Sequence, residues 1–438
     1  STCDTETYTR SYSTTAFYLP NKDRPNLSVL TDAHVRRVLT QPGAAGNLTA
    51  TGVEFGYGGD IHSVRATREV ILSAGALKSP QILELSGIGR NDVLSKIGIP
   101  VKLDLPGVGE NMQEHMALAM SWAKRRALVS STLTLIHAVF LTKVLISKRP
   151  QEHSVSTMPM AFFPLDQISD KAGQICARAK EEIGKLDHDT VPAGYVDQTR
   201  LPLARLDPKT SSPIYELTAS PGFLSGPNPP TPGKHYITLL VLVNILFSRG
   251  SIHIRSSDPN EDPDLDPRYL ERNVDVDMLL EATKFTRNLA NNSPIKDMIV
   301  KEVNPGPSIQ TDEQLLNWAK SILASGLHTV SSLSMLPREK DGVVDPKLKV
   351  YGTDNLRVVD LSIVPLHICC HTQCEPPQIR LELPLLLSTV LRQPRHTCIR
   401  EKRQRHTALR VLRGSGRLVE WYPIRQPSVA LAAPPWHQ

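Results

Sequence analysis

Near the end of the chain the stretch "LSIVPLHICCHTQCEPP", residues 361–377, crowds His367, Cys369, Cys370, His371 and Cys374 into eight positions. These residue types can do two kinds of chemistry. Imidazole and thiolate together hold zinc, or a neutral imidazole near pH 7 accepts a proton from a substrate. A structural zinc site needs two ligand pairs set apart by a loop, and no second C-x-x-C or H-x-x-x-H accompanies this cluster. Adjacent Cys369 and Cys370 also point to opposite sides of an extended chain. Metal binding is therefore not expected. Proton transfer asks instead for a second polar group facing the first. His328, 43 residues before His371 and two residues past Gly326, is the candidate, because a loop histidine just beyond a helix end can point into a cleft.

Several elements must position these histidines. "TDEQLLNWAKSILASG" opens with Thr311 and Gln314 at capping-box spacing and predicts a helix that closes on Gly326. "DVDMLLEATKFTRNLANN" predicts an amphipathic helix, and "LRVVD" a buried strand ending in Asp360. Further upstream, "TGVEFGYGGDIHSVRATREVILSAG" reads as strand, glycine turn, strand, link and buried strand. In "ALKSPQILELSGIG", Ser79 suits an N-cap, Pro80 the first helical position and Gly87 the stop. That strand–turn–helix would set a helix N-terminus near a bound anion. Residues 200–235, thick with Pro, Gly and Ser, are expected to be irregular.

At 438 residues the chain is long enough for two intertwined domains. No apolar run reaches membrane-spanning length: "TLTLIHAVFLTKVLI" reads as a buried helix and "ITLLVLVNILF" as a buried strand. From Cys374 onward, eleven Lys and Arg face four acids, a net +7, which leaves −1 for the 373 residues before it. The basic balance thus belongs to the tail, and a nucleic-acid partner is not expected. Six cysteines in so long a chain make no disulfide framework. A dinucleotide fingerprint is absent: "GYGGD" lies in a hairpin, "GIGRN" follows a helix, and "GVGEN" lacks the preceding strand.

The stretch "ATREVILSAGALKSPQILELSGIG" resembles the second signature of the glucose–methanol–choline (GMC) family of FAD-dependent oxidoreductases, especially fungal alcohol oxidases and dehydrogenases. "RSYSTTAFYLPNKDRPNLSVLTDAHVRRVL" precedes it and "IGIPVKLDLPGVGENMQEH" follows it, in family order. "HTVSSLSMLPREKDGVVDPKLKVYGTDNLRVVDLSIVPLHICCHTQ" resembles the C-terminal block. The resemblance implies a mixed α/β fold, with a partial FAD-binding domain over 1–116 and a substrate domain with an antiparallel sheet and flanking helices over 117–305. The chain would then return to the FAD domain over 306–373. It implies FAD as cofactor, a small-molecule alcohol as substrate, oxygen or another electron acceptor, and a place in fungal secondary metabolism. Carried over by position, His328 matches the proton acceptor and His371 the second active-site histidine. Val35 matches the residue whose backbone meets the adenine, Asp360 a flavin-contacting residue, and Thr372 the place where backbone amides approach the flavin ring. His367, Cys369 and Cys370 match nothing catalytic.

Three departures qualify the expectation. The family begins with a strand–GxGxxG–helix unit, and this sequence starts inside the family pattern, so weaker FAD binding is expected. After "HTQ" the family continues into a small-residue helix, whereas Pro376 and Pro377 forbid one here and 374–438 read as a divergent basic tail from an out-of-frame or intron-derived sequence. Ser331 and Ser332 stand where the family has Gly-Thr. Non-redox relatives, acting as cyclases or lyases, and a fragment without catalysis remain as alternative readings.

Overall fold

The computed structural model describes residues 12–125, 160–187 and 191–372, together with the backbone of the strands Ala408–Leu412 and Leu418–Trp421. The apolar run at 132–146 and Cys374 lie outside the described residues. Two hydrophobic cores organise the rest, and α-helices flank mixed and antiparallel sheets.

The first core gathers the N-terminal strands. His34–Pro42, Leu48–Tyr57 and Asp60–Arg65 form an antiparallel sheet whose buried face carries Val35, Val38, Val53, Phe55 and Val64. Gly58 and Gly59, both at positive φ, close its second hairpin as such a two-residue turn requires. Beside it, Val70–Ser73 runs parallel to Leu356–Val358, so the "EVIL" and "LRVV" runs become neighbours although 283 residues separate them in the chain. Val70, Ile71, Leu72, Leu356 and Val358 are buried, and the first run reads as the continuous apolar run of a strand covered on both faces.

The helix after Val70–Ser73 differs from its sequence reading. It begins at Gly75 rather than Ser79, and Pro80 lies inside it. Proline is tolerated there because the carbonyl left without its helical partner, that of Ala76, accepts from Ser332 Oγ at 2.6 Å. Ser79 acts as a side-chain donor to Asp360, 2.6 Å away. The helix stops at Leu85, and Gly87 takes positive φ, as its position predicts.

The second core lies under an antiparallel sheet ordered Ile299–Asn304, Met116–Lys124, His235–Val243, Tyr215–Pro221 and Met160–Phe163, with Ala324–Ser325 also paired to Met116–Lys124. Helices Ala172–Gly184, Asn273–Leu289 and Asp312–Ile322 bury apolar stripes against it. The Thr311–Gln314 capping box forms as read. That helix ends at Ile322, not Gly326, because Leu323 leaves helical geometry and the next two residues join the sheet. The expectation of an irregular 200–235 holds for 211–214 and 222–234 and fails elsewhere. Tyr195–Leu206 is a helix and Tyr215–Pro221 an inner strand, so ladder hydrogen bonds and burial outweigh local Pro and Ser content.

In the "GVGEN" segment the glycines serve close backbone contact. A Cβ on Gly107 would stand 1.9 Å from the Asp341 carbonyl oxygen, and one on Gly109 2.3 Å from that of Ile252. Residues 109–113 are laced to both sides: Gly109 N–H donates to Ser332 O, Met112 pairs with Gly250, and Gln113 with Val330. This seam joins the two cores and carries the polar site below.

The tail contributes to the first core's sheet. Leu418–Trp421 runs parallel to Leu27–Leu30 and antiparallel to Ala408–Leu412, which pairs antiparallel with Val70–Ser73. The tail thus supplies two strands, where the sequence reading gives it no place in the fold.

Two stability predictions follow from this packing. His253 Nδ1 lies 2.6 Å from Glu84 Oε1 and its Nε2 3.2 Å from Glu110 Oε1, which also pairs with Arg90. Burial alone lowers this imidazole's pKa, but the two carboxylates outweigh it and raise the pKa to about 9. A folded-state pKa above the unfolded 6.5 stabilises fully below pH 6.5 and ceases to as pH rises through about 9. Urea unfolding across that window should show falling stability, and His253→Gln should flatten the slope; an unchanged slope would exclude His253 as its source.

Ser331 holds φ 75° and donates to Val364 O at 2.5 Å while accepting from Gln113 Nε2 at 2.9 Å. The left-handed backbone costs roughly 1–2 kcal/mol for a residue with a Cβ, and each hydrogen bond returns about 1 kcal/mol. Ser331→Gly should therefore unfold within about 1 kcal/mol of the parent, whereas Ser331→Ala, strained and stripped of its bonds, should lose about 1–3 kcal/mol. Equal stability of the two variants would contradict this balance.

Candidate active site

The site grows from three neighbouring residues at the edge of the seam, Gln113, Glu114 and His115, just before the strand Met116–Lys124. All three are buried. Glu114 is the anchor. Its Oε1 accepts from the backbone N–H of His115 and of His328, each at 2.8 Å. Its Oε2 accepts from Ser325 Oγ at 2.8 Å and Thr329 Oγ1 at 2.6 Å. A buried carboxyl group needs such a donor set because its oxygens lose water on burial. Gln113 ties the other loop: Nε2 donates to Pro365 O, and Oε1 accepts from His367 N–H at 3.1 Å.

Four imidazoles meet on this scaffold. His115 Nδ1 lies 2.9 Å from His328 Nδ1, with the rings edge to face. The His115 ring lies tilted by 33° against that of His367 at a centroid distance of 3.7 Å, and His115 Nε2 donates to Ile368 O at 2.9 Å. His367 Nε2 donates to His328 O at 2.8 Å, so it holds the backbone of the neighbouring histidine. The resemblance gives His367 no role, yet the structure makes it part of the cluster. His328 and His371 face each other edge to face at 4.6 Å. His371 Nε2 donates to Glu216 Oε1 at 2.5 Å from the strand Tyr215–Pro221.

Burial sets the electrostatics. It pushes the His115 pKa well below the ordinary 6.5, and the adjoining histidines add to that effect. His367 falls to about 4 for the same first reason. Both rings are therefore neutral near pH 7. Cys369 stays apart from this chemistry. Cys369 Sγ accepts from Arg205 Nη1, and burial raises its thiol pKa. Among the described residues no group of three His, Cys, Asp or Glu is arranged to hold a metal ion.

The other expected site residues lie toward the first core. Asp360 caps the turn Leu361–Ile363, and its carboxylate accepts from Gly75 N–H, Ser79 Oγ, Ser362 N–H and Ser362 Oγ. The anion at the start of helix Gly75–Leu85 is thus this side chain. Val35 is buried in the first core, paired with Phe55 and separate from the histidines. Thr372 follows His371, partly exposed.

The residues present fit the flavin end of FAD. The parallel strands Val70–Ser73 and Leu356–Val358 end side by side at Gly75 and Asp360, and ligands of parallel sheets bind beyond such carboxyl ends. At that edge Ser73 Oγ is buried without a partner, and a Cβ on Gly75, at φ 83°, would meet nothing within 4 Å. No strand–GxGxxG–helix for the diphosphate occurs in the sequence.

Glu114, His115 and Glu216 escape sequence reasoning. The only signal is compositional: "QEH" stands immediately before the apolar run "MALAM", and one acid interrupts "IYELTA". Buried acids are rare enough to mark a position, but not its partner.

Comparison with known proteins agrees with this architecture. Family models described as GMC oxidoreductase match residues 2–117 and 247–375. The GMC oxidoreductase family protein Mala s 12 of Malassezia sympodialis is 36% identical over 378 residues, which cover 85% of this chain and 58% of the relative. An FAD-dependent oxidoreductase from Chaetomium thermophilum superposes with a TM-score of 0.73 at 25% identity, over 90% of this chain and 67% of that one. A fungal aryl-alcohol oxidase superposes at 0.67 and 29% identity, over 83% and 61%. The chain spans under two thirds of the curated relative's length, and the C-terminal match stops at residue 375, two residues past "HTQ". With these two family matches, on a fold shared with FAD-dependent enzymes, the chain belongs to the GMC oxidoreductase family.

Proposed function

We propose that this chain carries the proton-transfer site of a flavoenzyme that oxidises a small-molecule alcohol to an aldehyde or ketone. The observation that carries the reading is the facing pair His328 and His371, each anchored from behind by a different buried carboxylate. A bound flavin supplies the acceptor for the hydride that leaves the CH–OH carbon. His328 accepts the hydroxyl proton, for which a neutral imidazole is suited near pH 7. His371, held through Nε2 by Glu216, lies beside the substrate oxygen and stabilises the negative charge that develops there. The Gly75 turn, the Asp360 backbone and Thr372 would hold the flavin end, and the Val35 backbone the adenine. Oxygen or another acceptor would then take up the electrons. The structural similarity to a fungal aryl-alcohol oxidase supports the same substrate class.

Turnover of primary alcohols with an artificial electron acceptor, after loading with FAD, tests the assignment. His328→Ala should lower kcat/KM by about 100-fold or more; a loss below tenfold would remove His328 from the base role. Glu216→Leu should lower kcat at least about tenfold by releasing His371, and Glu216→Gln, whose amide oxygen still accepts, should recover part of it. Equal kcat for the two variants would exclude orientation as the role of Glu216.

A further inference from the structure

We propose that His115 is a positioning residue that keeps the proton of His328 on Nδ1, so that His328 Nε2 is the atom that accepts a proton; this rests on the reading of His328 as base. The chain of hydrogen bonds starts at a backbone carbonyl. Ile368 O can only accept, so His115 Nε2, 2.9 Å away, carries a hydrogen. A neutral imidazole has one N–H, which leaves His115 Nδ1 as an acceptor. His328 Nδ1, 2.9 Å from it, must then be the donor. One carbonyl thereby sets the tautomers of two successive rings.

The surroundings keep His115 neutral. It is fully buried, and its ring lies on His367 at 3.7 Å. The adjacent carboxylate, Glu114, spends its oxygens on two backbone N–H groups and two hydroxyls, with none directed to the His115 ring. The arrangement follows the logic of a triad in which a third group holds the base in its working tautomer. A neutral ring here takes the place of a carboxylate. When the hydroxyl O–H bond breaks, the electron pair stays on oxygen and the proton forms a new bond at His328 Nε2. His328 donates from Nδ1 before and after that event, so its bond to His115 needs no rearrangement.

The test is the tautomer itself, read in the full chain labelled with 15N-histidine by long-range 1H–15N correlation above neutral pH. The parent protein should show His328 protonated on Nδ1 and His115 on Nε2. A His328 proton on Nε2 overturns the inference, whatever the variants do. His115→Leu should move the His328 proton toward Nε2 and lower kcat by about 10-fold or more with KM little changed. His115→Asn, whose Oδ1 can accept near the former Nδ1, should restore the Nδ1–H signal and part of kcat. Retention of the Nδ1–H tautomer in His115→Leu also overturns the inference. Loss of turnover in His328→Ala with the wrong parent tautomer removes this inference alone. The right tautomer with turnover retained in His328→Ala removes the functional reading and leaves the hydrogen-bond relay standing.

Discussion

The carboxylate of Glu114 is the interaction on which the site depends. It lies where the strand Met116–Lys124 begins and binds four donors from two distant segments, 115 and 325–329. Without such donors a buried charge of this kind is too costly to keep. With them, the carboxylate fixes two backbones, and the backbones aim His115 and His328 at one another. Removing any one donor would leave the charge short of a partner rather than merely loosen a contact, because a buried charge missing a donor bears its desolvation cost.

The two cores make that convergence possible. The first brings Val70–Ser73 beside Leu356–Val358 and so delivers Asp360 and the following loop with His367 and His371. The second brings Tyr215–Pro221 into the large sheet and so delivers Glu216. His371 bridges them, from a loop off the first core to a strand of the second. An active site set on a seam between two packed bodies gains reach from both, and each side chain keeps the rigidity of its own body.

Much of the fold was legible. The hairpin, the "EVIL" and "LRVVD" strands, the capping box at Thr311 and the stop at Gly87 depend on neighbours a few residues away. The failures share a cause. Pro80 survives inside a helix because Ser332, 252 positions on, satisfies Ala76 O. Tyr215–Pro221 is a strand because two partner strands complete its hydrogen bonds. The glycines of "GVGEN" serve contacts with Ile252 and Asp341 rather than phosphate.

The cluster at 367–374 shows the same division. Residue types alone set its chemistry at imidazole and thiol, and spacing alone argued against zinc by denying it a second ligand pair. The ordered family blocks paired His371 with His328. Tertiary structure decided what no spacing encodes: that His367 braces the backbone of His328, that His115 completes the cluster from 213 residues away, and that Glu216 orients His371. The physical reason is range. Capping, turn and strand preferences act over a few bonds, whereas hydrogen bonds and burial act between whichever groups the two cores carry together.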